Sequence, residues 1–468
     1  MEANPIDKPL VISPLKQIIR IQKERESMKT FNMGGIHPPE EKEHSSGSPI
    51  SRMQIPSKVI LPLSQHLGAP CEPVVKKGDV VKTGQLIADS DKAVSAPIHA
   101  SITGKVTKIE HLNHPLGPRV KSIMIEGDGT DEWIEGVNGD LLDQDAPLDP
   151  DFSQLGDFKN RIRNAGIVGL GGAAFPTHIK LSPPPDKTID TLIINGAECE
   201  PFLTSDHRLM LERPKSLLAG IRIIRAILEV KQTFLAIEAN KPDAIELLQK
   251  ECGEDPDIRV AVCRTRYPEG GEKQLINAIT GREVPSGKLP MEVGCVVQNV
   301  GTAVAVYDAV TLSKPLIERV VTVTGSAVSR PANLMVRLGA SFRELLDLCG
   351  YDNRNGNKVI MGGPMMGKAQ KYLDVPVVKG TSGIVCIRAG DVVTLDHRPC
   401  LRCGKCVEVC PMGLNPTALA SRVESREYED LVKLGIMDCM ECGSCAFTCP
   451  ARRQLVHYIR VGKMEIKR

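Results

Sequence analysis

The 468-residue sequence is poor in aromatic residues, carries almost no net charge and has no long apolar run. Phe, Trp and Tyr make up only 3% of it, and the 59 basic residues nearly cancel the 57 acidic ones. The chain therefore lacks the cationic excess that attracts a polyanion and the rings on which bases stack. We predict no nucleic-acid partner.

The absence of a long apolar run predicts that the chain does not cross a membrane. A spanning helix needs roughly 20 apolar residues, and the best candidate, 293–310, is broken by Gln298, Asn299 and Asp308. The N-terminus lacks the basic and then apolar pattern of a secretory signal. We expect a cytosolic protein, in which clustered cysteines serve metals or redox groups. Residues 14–29 are either a short basic amphipathic helix on a membrane surface or a solvated leader.

Cysteine is abundant instead, and eight of the 15 cysteines form two copies of the pattern C-x2-C-x2-C-x3-C-P. In ferredoxins with two [4Fe-4S] clusters, the fourth cysteine of each such copy binds the other cluster. The pattern predicts crossed ligand sets, namely Cys400, Cys403, Cys406 and Cys449 for one cluster and Cys439, Cys442, Cys445 and Cys410 for the other. Two zinc ions are the alternative, but zinc does not explain the third cysteine and the trailing proline in both copies. Most of the remaining seven cysteines are predicted to be small buried apolar residues.

The segments before the cysteine region predict a multidomain chain of α/β and α+β domains. Short Val/Ile strands between glycine turns over 57–125 resemble the barrel-sandwich hybrid of biotinyl and lipoyl carriers. Lys92, in the tripeptide Asp-Lys-Ala, is either an attachment site or an ordinary residue of a structural β-domain, and we favour the latter.

Strands and helices alternate between about 160 and 312, which favours an α/β domain with a mainly parallel sheet. Its predicted strands are 191–195, 232–238 and 258–263, and its predicted helices are 214–230 and 242–250. A strand, a helix and a strand over 319–367 predict a small α+β module.

A candidate pocket is predicted from a glycine-rich loop, 165–180, and from polar residues at the ends of strands. Such a loop lets backbone N–H groups approach a phosphate or a flat ring, although a plain turn has the same composition. Asn195, Glu198 and Glu200 follow a predicted strand, at the edge where open α/β sheets bind ligands. Polar turns at 267–272 and 298–302 complete the pocket.

These motifs resemble a known flavin site. GLGGAAFPTHIK, NGAECEP, YPEGGE and QNVGT look like the flavin-binding motifs of the NADH-oxidising flavoprotein subunit of respiratory complex I. The order of all regions resembles the C subunits of Rnf electron-transport complexes, which are ion-translocating ferredoxin:NAD oxidoreductases. Gly271-Glu272 and Gln298-Asn299 depart from the complex I pattern of paired glutamates and paired asparagines.

The resemblance implies a role for each motif residue. Gly169, Gly171 and Lys180 would hold the FMN phosphate and ribityl chain. Asn195, Glu198, Asn299 and Thr302 would contact the flavin. Phe175, Glu200 and Glu272 would lie where the nicotinamide approaches, as the catalytic set.

The resemblance also implies an organisation and a function. The expected parts are a leader and loop (1–45), a barrel-sandwich hybrid (46–130), a Rossmann-like FMN- and NADH-binding domain (131–312), a soluble-ligand-binding β-grasp (313–370) and a ferredoxin-like domain (371–468). The chain would exchange electrons between NAD(H), non-covalent FMN and two [4Fe-4S] clusters, as a peripheral subunit on the cytoplasmic side of a bacterial inner membrane. Its partners would be Rnf subunits of the A, B, D, E and G types, NADH, and a ferredoxin or other iron–sulfur protein. The alternatives are a flavin and iron–sulfur protein of the cobalamin reductase type, or a non-catalytic iron–sulfur wire or scaffold.

Overall fold

The computed structural model describes residues 28–137, 141–253, 255–392 and 398–466. Most of the predicted amphipathic segment, 14–27, lies outside the described residues. The described part has two antiparallel sheets, one parallel sheet, one mixed sheet and a helical cysteine region. The predicted multidomain architecture is confirmed. Within these residues, no helix combines the length and apolarity that a bilayer crossing requires.

The first two sheets form the barrel-sandwich part. After β1 (Ile50–Arg52), which belongs to a later sheet, the strands are β2 (Lys58–Pro62), β3 (Glu72–Pro73), β4 (Val80–Val81), β5 (Leu86–Asp89), β6 (Ile98–His99), β7 (Gly104–Asn113) and β8 (Arg119–Gly127). They pair antiparallel in the orders β2-β8-β7-β4 and β3-β5-β6. Alternate residues point inward, so Val59 and Leu61 are fully buried. Lys92 is exposed on the loop between β5 and β6.

The parallel sheet carries the predicted pocket. Its elements are α1 (Leu155–Asn164), α2 (Thr177–Lys180), β9 (Thr191–Gly196), α3 (Ser205–Glu212), α4 (Pro214–Leu228), β10 (Gln232–Glu238), α5 (Pro242–Cys252), β11 (Ile258–Cys263), α6 (Glu272–Thr280), β12 (Cys295–Asn299) and α7 (Val300–Thr311). The order is β11-β10-β9-β12 with all pairs parallel, as alternation predicted. The packing of α4 on α7 is close at Gly220, where a Cβ would lie 1.9 Å from the carbonyl oxygen of Ala303.

A mixed six-stranded sheet follows. Its later elements are β13 (Glu318–Thr324), β14 (Ala332–Arg337), α8 (Phe342–Leu348), β15 (Lys358–Met361), β16 (Lys368–Ala369) and β17 (Gly383–Ile387). The order is β1-β14-β13-β17-β15-β16, so two strands come from outside residues 313–370. A capping box between Ser341 and Glu344 begins α8. Buried Glu318 pairs with Arg52 at 2.7 Å and ties β1 to this sheet.

The cysteine region consists of two similar loops and four helices. The helices are α9 (Lys405–Glu408), α10 (Pro416–Glu424), α11 (Ser444–Phe447) and α12 (Leu455–Ile466). Gly404 and Gly443 precede the short helices with φ of 76° and 85°, a left-handed conformation that glycine adopts without strain. The two copies therefore have the same backbone form. Of the seven other cysteines, Cys199 is half-buried and six are buried, as predicted: Cys71, Cys252, Cys263, Cys295, Cys349 and Cys386.

Candidate functional site

The predicted glycine loop is closed on itself and fixed to the helix after β12. The Gly169 N–H donates to the Phe175 carbonyl at 2.8 Å, which closes the loop. The Leu170 N–H donates to Thr302 Oγ1 at 2.9 Å. Thr302 is fully buried, so its hydroxyl holds the glycine loop from the protein interior. Phe175 is half-buried at the end of the loop.

Asn195 and Asn299 end adjacent parallel strands and lie in register with each other. Asn195 Nδ2 donates to the Gly270 carbonyl at 2.9 Å, which holds the polar turn against β9. Asn299 Oδ1 accepts from the Gly301 N–H at 2.9 Å and so begins α7. Its Nδ2 donates to Asp206 Oδ2 at 2.6 Å. Three of the predicted motifs therefore meet at one edge of the sheet.

Glu198 occupies the N-terminus of α3. Its carboxylate accepts from the backbone N–H groups of Asp206 at 2.7 Å and His207 at 3.3 Å. A carboxylate is stabilised there by the helix dipole and the free N–H groups. Asp206 itself is buried, and burial followed by the nearby Glu198 charge raises its pKa to about 7. Asp206 was not predicted, because an aspartate after Ser205 has the pattern of an ordinary helix start.

Lys180 and Glu272 form an ion pair. Lys180 Nζ lies 2.6 Å from Glu272 Oε1 and donates to the Val297 carbonyl at 2.8 Å. Both side chains are partly exposed. The pair therefore brings a residue predicted to hold a phosphate beside one predicted to face the nicotinamide.

Glu200 is bound by a loop of the mixed sheet. Its carboxylate accepts from the backbone N–H groups of Met365 at 3.1 Å and Met366 at 2.8 Å. A Cβ on Gly363 would lie 2.2 Å from Glu200 Oε2, so the approach requires glycine. Burial raises the pKa of Glu200 to about 7.

Two buried lysines hold the loop after β9, and neither was predicted. Lys42 Nζ donates to three carbonyls of this loop: Glu198 at 2.9 Å, Glu200 at 2.9 Å and Leu203 at 2.5 Å. Lys241 Nζ donates to the Ala197 carbonyl at 2.6 Å. Lys42 belongs to a turn-rich segment far away in sequence, so no local pattern could indicate this contact.

Two further buried basic residues, which follow α7 in sequence, hold the glycine loop by hydrogen bonds. Arg319 donates to the Leu170 carbonyl at 3.3 Å and to the Lys379 carbonyl. Lys379 Nζ donates to the carbonyls of Pro97 and Gly166, both at 2.7 Å. Arg319 lies beside Glu318 at the start of the strand ERVVTVT, all of whose residues are buried, and a charged pair next to this Val/Thr run is the signal that could have pointed to it.

The residues at this edge fit a flavin nucleotide. Gly171 and Gly172 are exposed; a Cβ on Gly171 would lie 3.4 Å from Asn299 Cβ, and Gly172 has a φ of 112°. Buried polar atoms without a hydrogen-bond partner within the described residues include Gln298 Nε2 and Thr177 Oγ1. Buried polar groups of this kind normally have partners, so atoms beside an exposed glycine loop are suited to a polar cofactor.

Cys410, the fourth cysteine of the first motif, lies with the first three cysteines of the second motif. A cavity is lined by these four cysteines, namely Cys410, Cys439, Cys442 and Cys445. Burial, with smaller contributions from the neighbouring Cys442 and Cys410 thiols, raises the pKa of Cys439 to about 11. A sulfur-lined cavity of this kind suits an iron–sulfur cluster or zinc.

The first three cysteines of the first motif are closer to solvent. Cys400 and Cys403 are exposed and Cys406 is half-buried. The pKa of Cys406 is raised, first by burial and then by the charges of Cys449 and Cys400. Cys449 therefore lies near Cys406 of the first motif, and the division of the eight cysteines between two clusters stays a prediction.

The second cysteine loop packs on the parallel-sheet domain. Tyr267 Oη donates to the Cys442 carbonyl at 2.7 Å. A Cβ on Gly271 would lie 2.8 Å from Met440 Cε, and one on Gly443 would lie 3.0 Å from the Met365 carbonyl oxygen. The polar turn at 267–272 thus contacts the pocket on one side and the cysteines on the other.

Comparisons with known families agree with this arrangement. The matching families are the RnfC barrel sandwich hybrid domain over residues 29–130, the Nuo51 FMN-binding domain over 162–308, the SLBB domain over 320–369 and the 4Fe-4S dicluster domain over 392–450. The FMN-binding and iron–sulfur character predicted from the motifs is therefore confirmed at the level of domains.

Relatives match over nearly the whole chain. The C subunit of a proton-translocating ferredoxin:NAD(+) oxidoreductase complex from Clostridium ljungdahlii is 48% identical, over 94% of this chain and 94% of that protein. Its Na(+)-translocating counterpart from Acetobacterium woodii is 46% identical, over 92% and 96%. The C subunit of an ion-translocating oxidoreductase complex from Rhodobacter capsulatus is 42% identical, over 87% and 78%. The chain therefore belongs to the Rnf family of C subunits, which are parts of ion-translocating ferredoxin:NAD(+) oxidoreductase complexes.

Proposed function

We propose that this chain exchanges electrons between NAD(H) and a one-electron partner through FMN and two [4Fe-4S] clusters. Flavin, when bound, takes two electrons as a hydride and releases them one at a time, which connects nicotinamide chemistry to iron–sulfur chemistry. The residues of the chain bind and orient these groups, exclude water and fix the distances between them.

One observation carries this proposal: the second cysteine loop packs against the turn that borders the flavin-type pocket. The 2.7 Å hydrogen bond from Tyr267 to the Cys442 carbonyl leaves no layer of solvent between the two sites at this point. A scaffold or an isolated ferredoxin domain does not need this contact. In this proposal the Cys410, Cys439, Cys442 and Cys445 set would hold the proximal cluster, and the Cys400, Cys403, Cys406 and Cys449 set would hold the distal one.

At the pocket, Gly169 and Gly171 would leave the backbone open to the FMN phosphate, and Lys180 would neutralise it while Glu272 orients the lysine at 2.6 Å. Asn195, Glu198, Asn299 and Thr302 would fix the flavin, directly or through the loops that they hold. Phe175 and Glu200 would shape the side on which the nicotinamide approaches.

The family relatives are named as subunits of ion-translocating complexes. We propose accordingly that this chain works as a peripheral subunit on the cytoplasmic face of the membrane, with Rnf subunits of the A, B, D, E and G types and a ferredoxin. Family membership favours this function over the cobalamin reductase alternative.

The test is anaerobic purification, cofactor analysis and titration with NADH. We expect one FMN and eight irons per chain, bleaching of the flavin absorbance, and electron paramagnetic resonance signals from reduced clusters. A Gly171→Val variant should lose FMN and NADH reduction but keep clusters that dithionite reduces, because a valine side chain would fill the space beside Asn299.

The matched control is Gly78→Val, in an exposed turn of the barrel with no neighbour within 4 Å of a Cβ. Its φ of 102° makes it at least as strained as position 171, yet it should retain FMN. Wild-type protein that holds stoichiometric FMN and does not respond to NADH would refute the assignment of NAD(H). Protein with clusters but no FMN would support the wire or scaffold alternative.

A further inference from the structure

The two cysteine loops have the same backbone form but opposite surroundings. Arg402 and Glu441 occupy equivalent positions and have φ of 53° and 60°. The backbone N–H of each lies 3.4 Å from the Sγ atom of the first cysteine of its motif, Cys400 or Cys439. The backbone of residues 400–408 therefore corresponds, position by position, to that of residues 439–447. A difference in exposure between two equivalent residues must then come from the parts of the chain that cover each loop.

The second loop is covered by its own chain. Cys442, Gly443 and Ser444 are buried, and Met440 and Glu441 are half-buried. The Tyr267 hydroxyl, the 363–367 loop and Gly271 lie against this face. Glu441 is neutralised within the domain, because Arg460 and Lys463 lie 2.7 and 3.0 Å from its carboxylate.

The first loop presents the equivalent face to solvent. Residues 398–405 are all exposed, including the thiol-bearing residues Cys400 and Cys403. Leu401, the counterpart of Met440, is 67% exposed, and Val407 is 39% exposed. Arg398, Arg402 and Lys405 are exposed along the same segment, and the exposed acidic residue Glu408 follows it.

We propose that this face, Arg398–Val407, is the docking surface for a protein that carries a one-electron centre ringed by carboxylates. The second loop shows how such a cysteine loop packs when protein covers it. There, an apolar residue and backbone groups shield the cysteine ligands from water. The first loop has equivalent apolar residues and, in addition, basic side chains that its own chain does not cover. The molecule that binds this loop is therefore a separate protein with acidic residues. Charges at the rim of such a face steer encounter and set its salt dependence.

The inference rests on the proposed function, because it assigns the exit of the same electron route. One electron leaves the reduced distal cluster and one electron enters the partner's centre; no bond forms or breaks, and the direction reverses when NAD+ is reduced. Anionic lipid is a different class of occupant for a basic and apolar face, and it is an outcome of the test.

The experiment uses the full chain with its cofactors and two protein probes of opposite charge, acidic flavodoxin and basic cytochrome c. The variant is Arg402→Glu with Lys405→Glu, and the matched control is Lys76→Glu with Lys77→Glu on the exposed barrel turn. Electrons are supplied by NADH and, separately, by dithionite followed by gel filtration. Reduction of each probe is followed by stopped flow at low and high salt.

We expect the loop variant to reduce flavodoxin about tenfold more slowly at low salt, with a flatter salt dependence, since steering changes association rates by about 10–10³. Cytochrome c reduction should become faster, and NADH should still reduce the variant's own flavin and clusters. The control should match the wild type.

An unchanged flavodoxin rate, or an equal loss in the control, would overturn the proposal. So would a loss of binding to phosphatidylglycerol vesicles with unchanged protein rates, which would assign the face to lipid. Failure of NADH but not of dithionite to drive flavodoxin reduction would overturn the proposed function and leave the docking surface intact.

Discussion

The hydroxyl of Tyr267 donates a hydrogen bond to the carbonyl oxygen of Cys442 at 2.7 Å, between the turn after β11 and the second cysteine loop. The phenol is 2% exposed, and burial raises its pKa far above the usual value, so the group remains a donor at physiological pH. This side chain therefore links the pocket directly to the backbone of a proximal cysteine.

Replacing this donor should slow transfer from the flavin to the clusters. In Tyr267→Phe, the Cys442 carbonyl loses a buried partner, which costs about 1–3 kcal/mol of unfolding free energy. We expect flavin reduction by NADH to keep its rate and cluster reduction to lag behind it, as followed by rapid-mixing absorbance. Tyr372→Phe, at an exposed tyrosine, should change neither.

The crossed grouping of thiols makes the fourth cysteines unequal. Cys410 lines the cavity with Cys439, Cys442 and Cys445, so Cys410→Ser should damage the proximal cluster and block NADH reduction of both. Cys449→Ser should damage the distal cluster alone and leave one signal that NADH still generates. Electron paramagnetic resonance after NADH or dithionite separates the two patterns. The uncrossed assignment predicts the reverse, and Cys386→Ser, at a buried cysteine outside both motifs, is the control.

Removal of Lys42 should release the flavin. Its ammonium group supplies three hydrogen bonds to carbonyls of the loop after β9. A buried acceptor that loses its donor costs about 1–3 kcal/mol. Lys42→Met should therefore lower FMN per chain and the unfolding free energy, while iron content is retained. Lys58→Met, at an exposed lysine, is the control. Full retention of FMN in Lys42→Met would contradict the prediction, because the loop after β9 would then keep its conformation without the three hydrogen bonds from Lys42.

Lys379 should make stability depend on pH. Burial lowers its pKa to about 7 in the folded chain, against about 10.4 in the unfolded chain. Between these values the unfolded chain binds more protons, so this group raises stability as pH increases from about 7 to 10, and the gain disappears as pH falls back toward 7. The wild-type urea midpoint should rise with pH relative to Lys379→Met over this range. Lys77→Met, at an exposed lysine, should follow the wild type; parallel curves for wild type and Lys379→Met would contradict the prediction.

Much of the fold was predictable from local patterns. Three strands (β9, β10 and β11) and two helices (α4 and α5) of the parallel-sheet domain, and the strand, helix and strand β13, α8 and β15 of the mixed sheet, lie where the periodicity placed them. The strands β12 and β14 were not predicted. The position of Cys410 beside the second motif followed from the pattern of two-cluster ferredoxins, in which the fourth cysteine of each motif binds the other cluster. Asn195 and Asn299 could be placed together because the carboxyl ends of parallel strands share one edge of a sheet.

The long-range contacts were not predictable, because burial of a charged side chain depends on partners distant in sequence. Lys42 contacts residues more than 150 positions away. Glu200 was predicted to face a nicotinamide, yet its carboxylate binds amides of the mixed sheet. The addition of β1 and β17 to that sheet also depends on tertiary pairing, since neither strand lies within the strand–helix–strand pattern.

The hydrogen bonds from Lys42 to the loop after β9 limit how the domains of this chain can be exchanged with those of other proteins. The lysine precedes the barrel in sequence but completes the loop at the end of β9, and Arg319 and Lys379 complete the glycine loop from beyond α7. The flavin-type unit is thus assembled from three separate stretches of chain. A gene fusion or domain exchange that transfers only the parallel-sheet domain would therefore transfer its strands without Lys42, Arg319 and Lys379, the basic residues that hold its loops.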